Sequence, residues 1–145
     1  MRVERLFPNL VVDDPAADRA ALEALFDLEV AFESDWYVQL RATGADWELG
    51  LLRRGGPGAP ACASAPAGGT TVTLVVENVD ALVDAARDAG LEILEHPVDR
   101  FYGQRQLLLR LPGGAVLDLS APCEPDPDWM ARVRPREAGG FVEDP

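Results

Sequence analysis

The feature that most limits what this chain can fold into is that much of it is written twice. Phe7-Pro8-Asn9-Leu10-Val11-Val12-Asp13-Asp14 lies over Thr71-Val72-Thr73-Leu74-Val75-Val76-Glu77-Asn78, each a short apolar run closed by acidic or amide residues. Such a run reads as a strand that stops at a helix cap. An Ala-rich stretch follows in both copies, 15–27 and 79–89. In the second, Val79, Leu82, Val83 and Ala86 recur at the spacing of one helical face; Leu22, Leu25 and Phe26 do so over a shorter span in the first. Gly90 stands where a helix end favours a left-handed residue. Leu28-Glu29-Val30 then matches Leu91-Glu92-Ile93, and Trp36-Tyr37-Val38-Gln39-Leu40-Arg41 matches Gln106-Leu107-Leu108-Leu109-Arg110-Leu111. Continued without a gap, the match sets Trp47-Glu48-Leu49 on Leu117-Asp118-Leu119 across a Gly-bearing turn, a hairpin signature in each copy.

Each half therefore predicts the order β-α-β-β-β, and the chain an α+β fold of two such modules, residues 1–54 and 70–122. The Gly/Pro/Ala-rich stretch 55–69 reads as a flexible connector, and 123–145 as a Pro-rich acidic tail. In that tail Trp129, Met130 and Val133 suit one docked helical turn or a frayed end, with nothing to choose between them. A small sheet with one helix covers one of its faces and leaves the other bare. Two bare faces must meet, within a chain or between two, and the space between them is where a ligand would go.

Composition narrows the partners. The net charge is −12, and all the basic side chains are Arg. An acidic surface argues against nucleic acid, whose binding rests on cations neutralising phosphates; it favours solubility and steers cationic ligands. No apolar run approaches the ~20 residues of a membrane span, and 1–5 lack the apolar core of a secretory signal. Cys62 and Cys123 are too few for a zinc knuckle and read as free thiols in a reducing cytoplasm, although a bridge between them stays open.

With these elements in order, the chain resembles the vicinal oxygen chelate superfamily of glyoxalases, extradiol dioxygenases and bleomycin-resistance proteins, and within it the bleomycin-resistance-like branch. The resemblance runs from Leu6 to Pro122. It is carried by Asn9-Leu10-Val11-Val12-Asp13-Asp14, Glu77-Asn78-Val79-Asp80, Gly90-Leu91-Glu92-Ile93 and Leu111-Pro112-Gly113-Gly114-Ala115-Val116-Leu117-Asp118-Leu119. Tyr102-Gly103-Gln104-Arg105 resembles a loop of actinobacterial members. Catalytic members are similar in setting one metal ligand on the first and last strand of each half. Those positions fall here on Phe7, Glu48, Thr71 and Asp118. Phe cannot ligate a metal and Thr is a poor ligand for zinc, iron or nickel, so no metal or other cofactor is expected. The lone histidine, His96, precedes Pro97 and reads as a loop or surface residue. Glu48 and Asp118 would form an acid–base pair if buried together, but read more simply as polar groups on a cavity wall.

Strand alternation sets the expected lining. With Phe7 and Thr71 turned inward, Asn9, Val11, Thr73 and Val75 follow; Glu48 and Asp118 bring Gly50, Val116 and Ser120. A three-residue turn at Pro112-Gly113-Gly114 pairs Leu108 with Asp118 and turns Gln106 and Arg110 inward; the repeat then assigns Trp36, Val38 and Leu40, a set that another turn type would flip. Phe101 and Tyr102 are expected at the mouth, and Trp47 on the helix side. The expected ligand site is thus Phe7, Asn9, Trp36, Val38, Glu48, Thr71, Phe101, Tyr102, Gln106, Leu108 and Asp118. By the resemblance, such a hollow sequesters a small aromatic natural product, a cationic one being favoured by the carboxylates, without catalysis, as in antibiotic resistance or self-protection; peptide antibiotics with planar chromophores are candidates. The alternative is a divergent metal-dependent lyase, isomerase or dioxygenase. The family habit of pairing implies a homodimer, either of whole chains or with modules exchanged.

Overall fold

The computed structural model describes residues 7–59, 71–135 and 141–143. Cys62 and most of the expected connector lie outside the described residues; Gly55–Ala59 form a turn that closes the first module.

The first module comprises β1 (Asn9–Val12), α1 (Pro15–Leu25), β2 (Leu28–Glu33), β3 (Tyr37–Ala42) and β4 (Glu48–Arg53). The second comprises β5 (Thr71–Val75), α2 (Leu82–Asp88), β6 (Glu92–Arg100), β7 (Gln104–Arg110) and β8 (Val116–Pro122). Both sheets have the same order, β1-β4-β3-β2 and β5-β8-β7-β6. In each, the first strand runs parallel to the last and the other pairs are antiparallel. The tail adds α3 (Pro127–Met130) and the pair β9 (Val133–Pro135) and β10 (Phe141–Glu143).

The local chemistry of the caps explains where the helices start. Asp14 accepts the N–H groups of Ala16 at 3.0 Å and Ala17 at 3.3 Å, and Pro15 follows with its backbone preset. Asn78 does the same for Asp80 and Ala81, but a single tight turn intervenes, so α2 begins later than the periodicity predicts. Gly90 closes α2 with φ +69°, the left-handed conformation foreseen for it.

Each helix covers one face of its sheet. Leu22 of α1 and Ala86 of α2 are fully buried, against Val38, Leu40, Leu49 and Leu51 in the first module and Leu107, Leu109, Leu117 and Leu119 in the second. These residues form one continuous core across both modules. A second link joins them: the β7–β8 hairpin rests on α1, where the Gly113 N–H donates to Asp18 Oδ1 at 3.0 Å. Asp18 is fully buried, and its other oxygen finds no hydrogen-bond donor.

The hairpins revise the gap-free repeat. In the second, Leu111 N–H bonds to Ala115 across Pro112-Gly113-Gly114, and Leu108 pairs with Asp118 as expected. In the first, Ala42 bonds to Trp47 across Thr43-Gly44-Ala45-Asp46, a loop longer by one residue. That single residue flips the side chains that the repeat assigned within β3. Val38 and Leu40 therefore point into the core beneath α1, 1% and 0% exposed, and not into a ligand space. Trp36 precedes β3, and Phe7 precedes β1. His96 sits within the irregular stretch of β6, exposed, rather than in a loop after the strand.

Candidate functional site

Directly opposed residues of neighbouring strands share a face. In the first sheet the register sets Arg41 beside Glu48, Gln39 and Asn9 beside Gly50, and Tyr37 and Val11 beside Leu52. All lie on the face turned away from α1. Gly50 is what allows them to gather. A Cβ there would collide with Asn9 Oδ1 and stand 2.7 Å from the Tyr37 hydroxyl, so both polar tips close over bare backbone.

Aromatic rings extend this face. Phe32 and Tyr37 have ring centroids 6.1 Å apart, and Tyr37 and Trp36 5.8 Å, both tilted. Their approach is fixed by Ser34, whose hydroxyl oxygen accepts the N–H of Tyr37 at 3.0 Å and of Trp36 at 3.4 Å. The Trp36 ring lies over Gly58, where a Cβ would stand 2.8 Å from its Cη2, and the Trp36 Cβ lies beside Gly56. Phe7, Asn9, Trp36, Tyr37, Leu52 and Gly58 line a shallow hollow of about 220 Å³. Farther along the same sheet face Glu48 accepts a hydrogen bond from the Gln39 amide at 2.6 Å and lies 3.6 Å from the Arg41 guanidinium.

The corresponding face of the second sheet is polar. The Thr73 hydroxyl donates to Asp118 Oδ2 at 3.0 Å and the Ser120 hydroxyl to Oδ1 at 3.0 Å. Gln106 accepts from Arg100 Nε at 2.8 Å, and Arg100 also pairs with Glu95. Leu108 sits half-buried beside Asp118, and Thr71 is exposed at the start of β5. The sequence reading missed Tyr37 and Gln39, which occupy the face it gave to Val38. The signal lay in the longer first turn.

Phe101 and Tyr102 occupy the β6–β7 turn, 58% and 38% exposed. Phe101 meets Tyr102 edge-on at 5.1 Å and Trp129 of α3 at 5.9 Å, so the tail docks here. Neither ring lines the hollow. Arg105 faces the helix side, held by Asp80 and Asp99 at 2.6–2.8 Å, and these carboxylates raise its pKa.

The four positions that would hold a metal do not form a matching set. Thr73, not Thr71, stands beside Asp118, and Gly50, not Glu48, is the counterpart of Asp118. Asp118 is engaged by two hydroxyls and Glu48 by an amide. With Asn9 and Gly50 in the first sheet matching Thr73 and Asp118 in the second, the donor set does not suit a transition ion. Among the described residues, no three His, Cys, Asp or Glu side chains gather where a metal could be held.

Comparison with known proteins agrees with this architecture. Residues 5–119 match the model of the Glyoxalase/Bleomycin resistance protein/Dioxygenase superfamily. No curated protein sequence matches significantly. Among solved structures, a glyoxalase/bleomycin resistance protein/dioxygenase family enzyme from Burkholderia phytofirmans PsJN superposes with a TM-score of 0.68 at 21% identity, covering 80% of this chain and 96% of that one. A glyoxalase-related enzyme from Fulvimarina pelagi gives 0.67 at 13% identity, covering 97% and 98%. TioX from Micromonospora sp. ML1 gives 0.59 at 22% identity, covering 83% and 99%.

Proposed function

This chain belongs to the glyoxalase/bleomycin resistance protein/dioxygenase superfamily, and within it we propose that it is a metal-independent binding protein for a small aromatic natural product. The observation that carries the reading is the row of rings Phe32, Tyr37 and Trp36 beside Phe7 on the sheet face away from α1. A planar ligand stacked on such rings gains on the order of 1–3 kcal/mol per aromatic platform, by analogy with bases on protein aromatics. Asn9, Tyr37 and Gln39 supply hydrogen-bonding tips that fix its orientation, and Glu48 with the net charge of −12 favours a ligand bearing positive charge. The donor set around Glu48 and Asp118 supports binding over metal chemistry. A homodimer belongs to the same proposal: a shallow hollow becomes an enclosed one when the polar face of a second sheet lies over it, by whole-chain pairing or by module exchange. The biological role that fits is sequestration of an antibiotic, in resistance or self-protection in a cytoplasmic setting.

Fluorescence titration against a panel of antibiotics with planar chromophores tests the reading. Saturable quenching is expected, weakened roughly 5- to 150-fold in Trp36→Ala, the equivalent of one lost stacking platform. Folded protein that shows no saturable binding to any member of a broad panel would overturn the proposal.

A further inference from the structure

The two modules meet each other twice, in related ways, with opposite results. At one meeting the β7–β8 hairpin is seated on the first module: Gly113 touches Val12 and Asp18 so closely that a Cβ would stand 2.8 Å from Val12 Cβ. At the other, the hairpin from Ala42 to Trp47 faces the second module. Asp14 and Asn78 each accept the N–H groups two and three residues on, so Val76 is the counterpart of Val12 and Leu82 that of Asp18. Leucine offers no acceptor for a hairpin N–H, and the first hairpin is built on the longer turn. Here the modules stand apart, leaving a cleft of about 890 Å³.

The walls of this cleft are apolar. Leu25, Phe26 and Trp47 come from the first module; Leu74, Val76 and Leu82 from the second. β5 is the edge strand of its sheet, so main-chain polar groups run along one side. Asp27 and Glu77 border it, Glu48 beside them is paired with Arg41, and the described lining residues include no Arg or His. A greasy space of this size with two acids exposed at its border complements one ligand chemistry.

We propose that the cleft between the modules is a second ligand site, distinct from the aromatic sheet face, and that it takes a compact organic cation: an apolar body carrying a protonated amine. The body displaces water from Phe26, Trp47 and Leu74, while the ammonium group stays at the border near Asp27 and Glu77. Flat rings are not required, which separates this site chemically from the sheet face.

Two probes with one body and opposite charge test the proposal, adamantylammonium and adamantane carboxylate, titrated calorimetrically into the full chain at low salt. Saturable binding of the cation is expected, at least tenfold tighter than the anion. Ala45 is exposed on the hairpin beside the cleft. Ala45→Arg, which adds bulk and positive charge there, is expected to abolish cation binding with an unchanged circular dichroism spectrum. Asp27 and Glu77 are exposed, so the double variant Asp27→Asn, Glu77→Gln keeps the fold and is expected to weaken the cation about 3- to 10-fold. Equal binding of both probes, no binding of either by folded protein, or cation binding untouched by both variants would overturn the site. So would a change in oligomeric state on Ala45→Arg without loss of the cation, since the cleft would then be a contact between chains.

Discussion

Two glycines with similar close contacts are predicted to respond in opposite ways to the same methyl group. At Gly113 an added Cβ would meet Asp18 Oδ2 at 2.5 Å and Val12 Cβ and Cγ1 at 2.8 Å. Val12 is fully buried in a paired strand and cannot swing aside. Overpacking of that kind costs about 1–3 kcal/mol. Lifting the hairpin also lengthens the Gly113–Asp18 hydrogen bond, and a bond to a charged group contributes about 1.5–3 kcal/mol. Against these, Gly→Ala narrows the unfolded ensemble and returns about 0.4–1 kcal/mol. The net for Gly113→Ala is a loss of roughly 1.5–5.5 kcal/mol. At Gly50 the added methyl meets Asn9 Oδ1, the Tyr37 hydroxyl and Tyr37 Cε2, all side-chain atoms on the open sheet face rather than a buried strand. Gly50→Ala should therefore change stability by less than about 1 kcal/mol while scattering the tips that shape the sheet face. Urea unfolding followed by circular dichroism measures both. Equal destabilisation by the two substitutions, or a Gly113→Ala change below about 0.5 kcal/mol, would refute the reasoning.

Burial holds the Asp18 carboxyl above the ordinary carboxylate range; the Gly113 N–H pulls it down, and Asp14 and Asp13 push it up. The folded state thus binds this proton more tightly than the unfolded one, so the Asp18 contribution to stability is full at acid pH, below 3.8, and is lost as pH rises through the folded value. The stability of Asp18→Asn minus that of the natural chain should shrink as pH falls through that window; a flat difference would contradict the assignment. Gly58→Ala should displace the Trp36 ring, seen as a shift in tryptophan emission, and weaken aromatic ligands with little change in unfolding midpoint. Dialysis against a chelator should leave aromatic binding unchanged; loss restored by a divalent transition ion would reverse the reading of Glu48 and Asp118.

What the sequence revealed depended on whether a local signal fixed the geometry. The repeat predicted both sheets because strand, turn and helix signals recur in the same order, and Asp14 and Asn78 accept equivalent backbone N–H groups. The turn at Pro112-Gly113-Gly114 announced its own register, with Gly114 at φ +94°, so the second sheet face was legible down to the pairing of Leu108 with Asp118. The first face was not. Thr43-Gly44-Ala45-Asp46 and Pro112-Gly113-Gly114 look alike as Gly-bearing turns, and the difference of one residue moved Tyr37 and Gln39 onto the face and Val38 into the core. The role of Gly50 was hidden for another reason: a glycine in a strand does not announce which side chains will close over it. Nor did the pattern of α1 mark Asp18 as the seat of the β7–β8 hairpin, because that contact joins residues far apart in the chain.

The central claim is that this fold grips an aromatic molecule with side chains alone. Native mass spectrometry of the protein purified from its own source, without added chelator, tests it most directly, because assembly, metal and small molecule are read from one spectrum. The expected spectrum shows a protein pair that retains an organic, ring-bearing ligand and no stoichiometric transition metal. A tightly held metal ion in one-to-one ratio with the chain, lost in Glu48→Ala or Asp118→Ala, would contradict it.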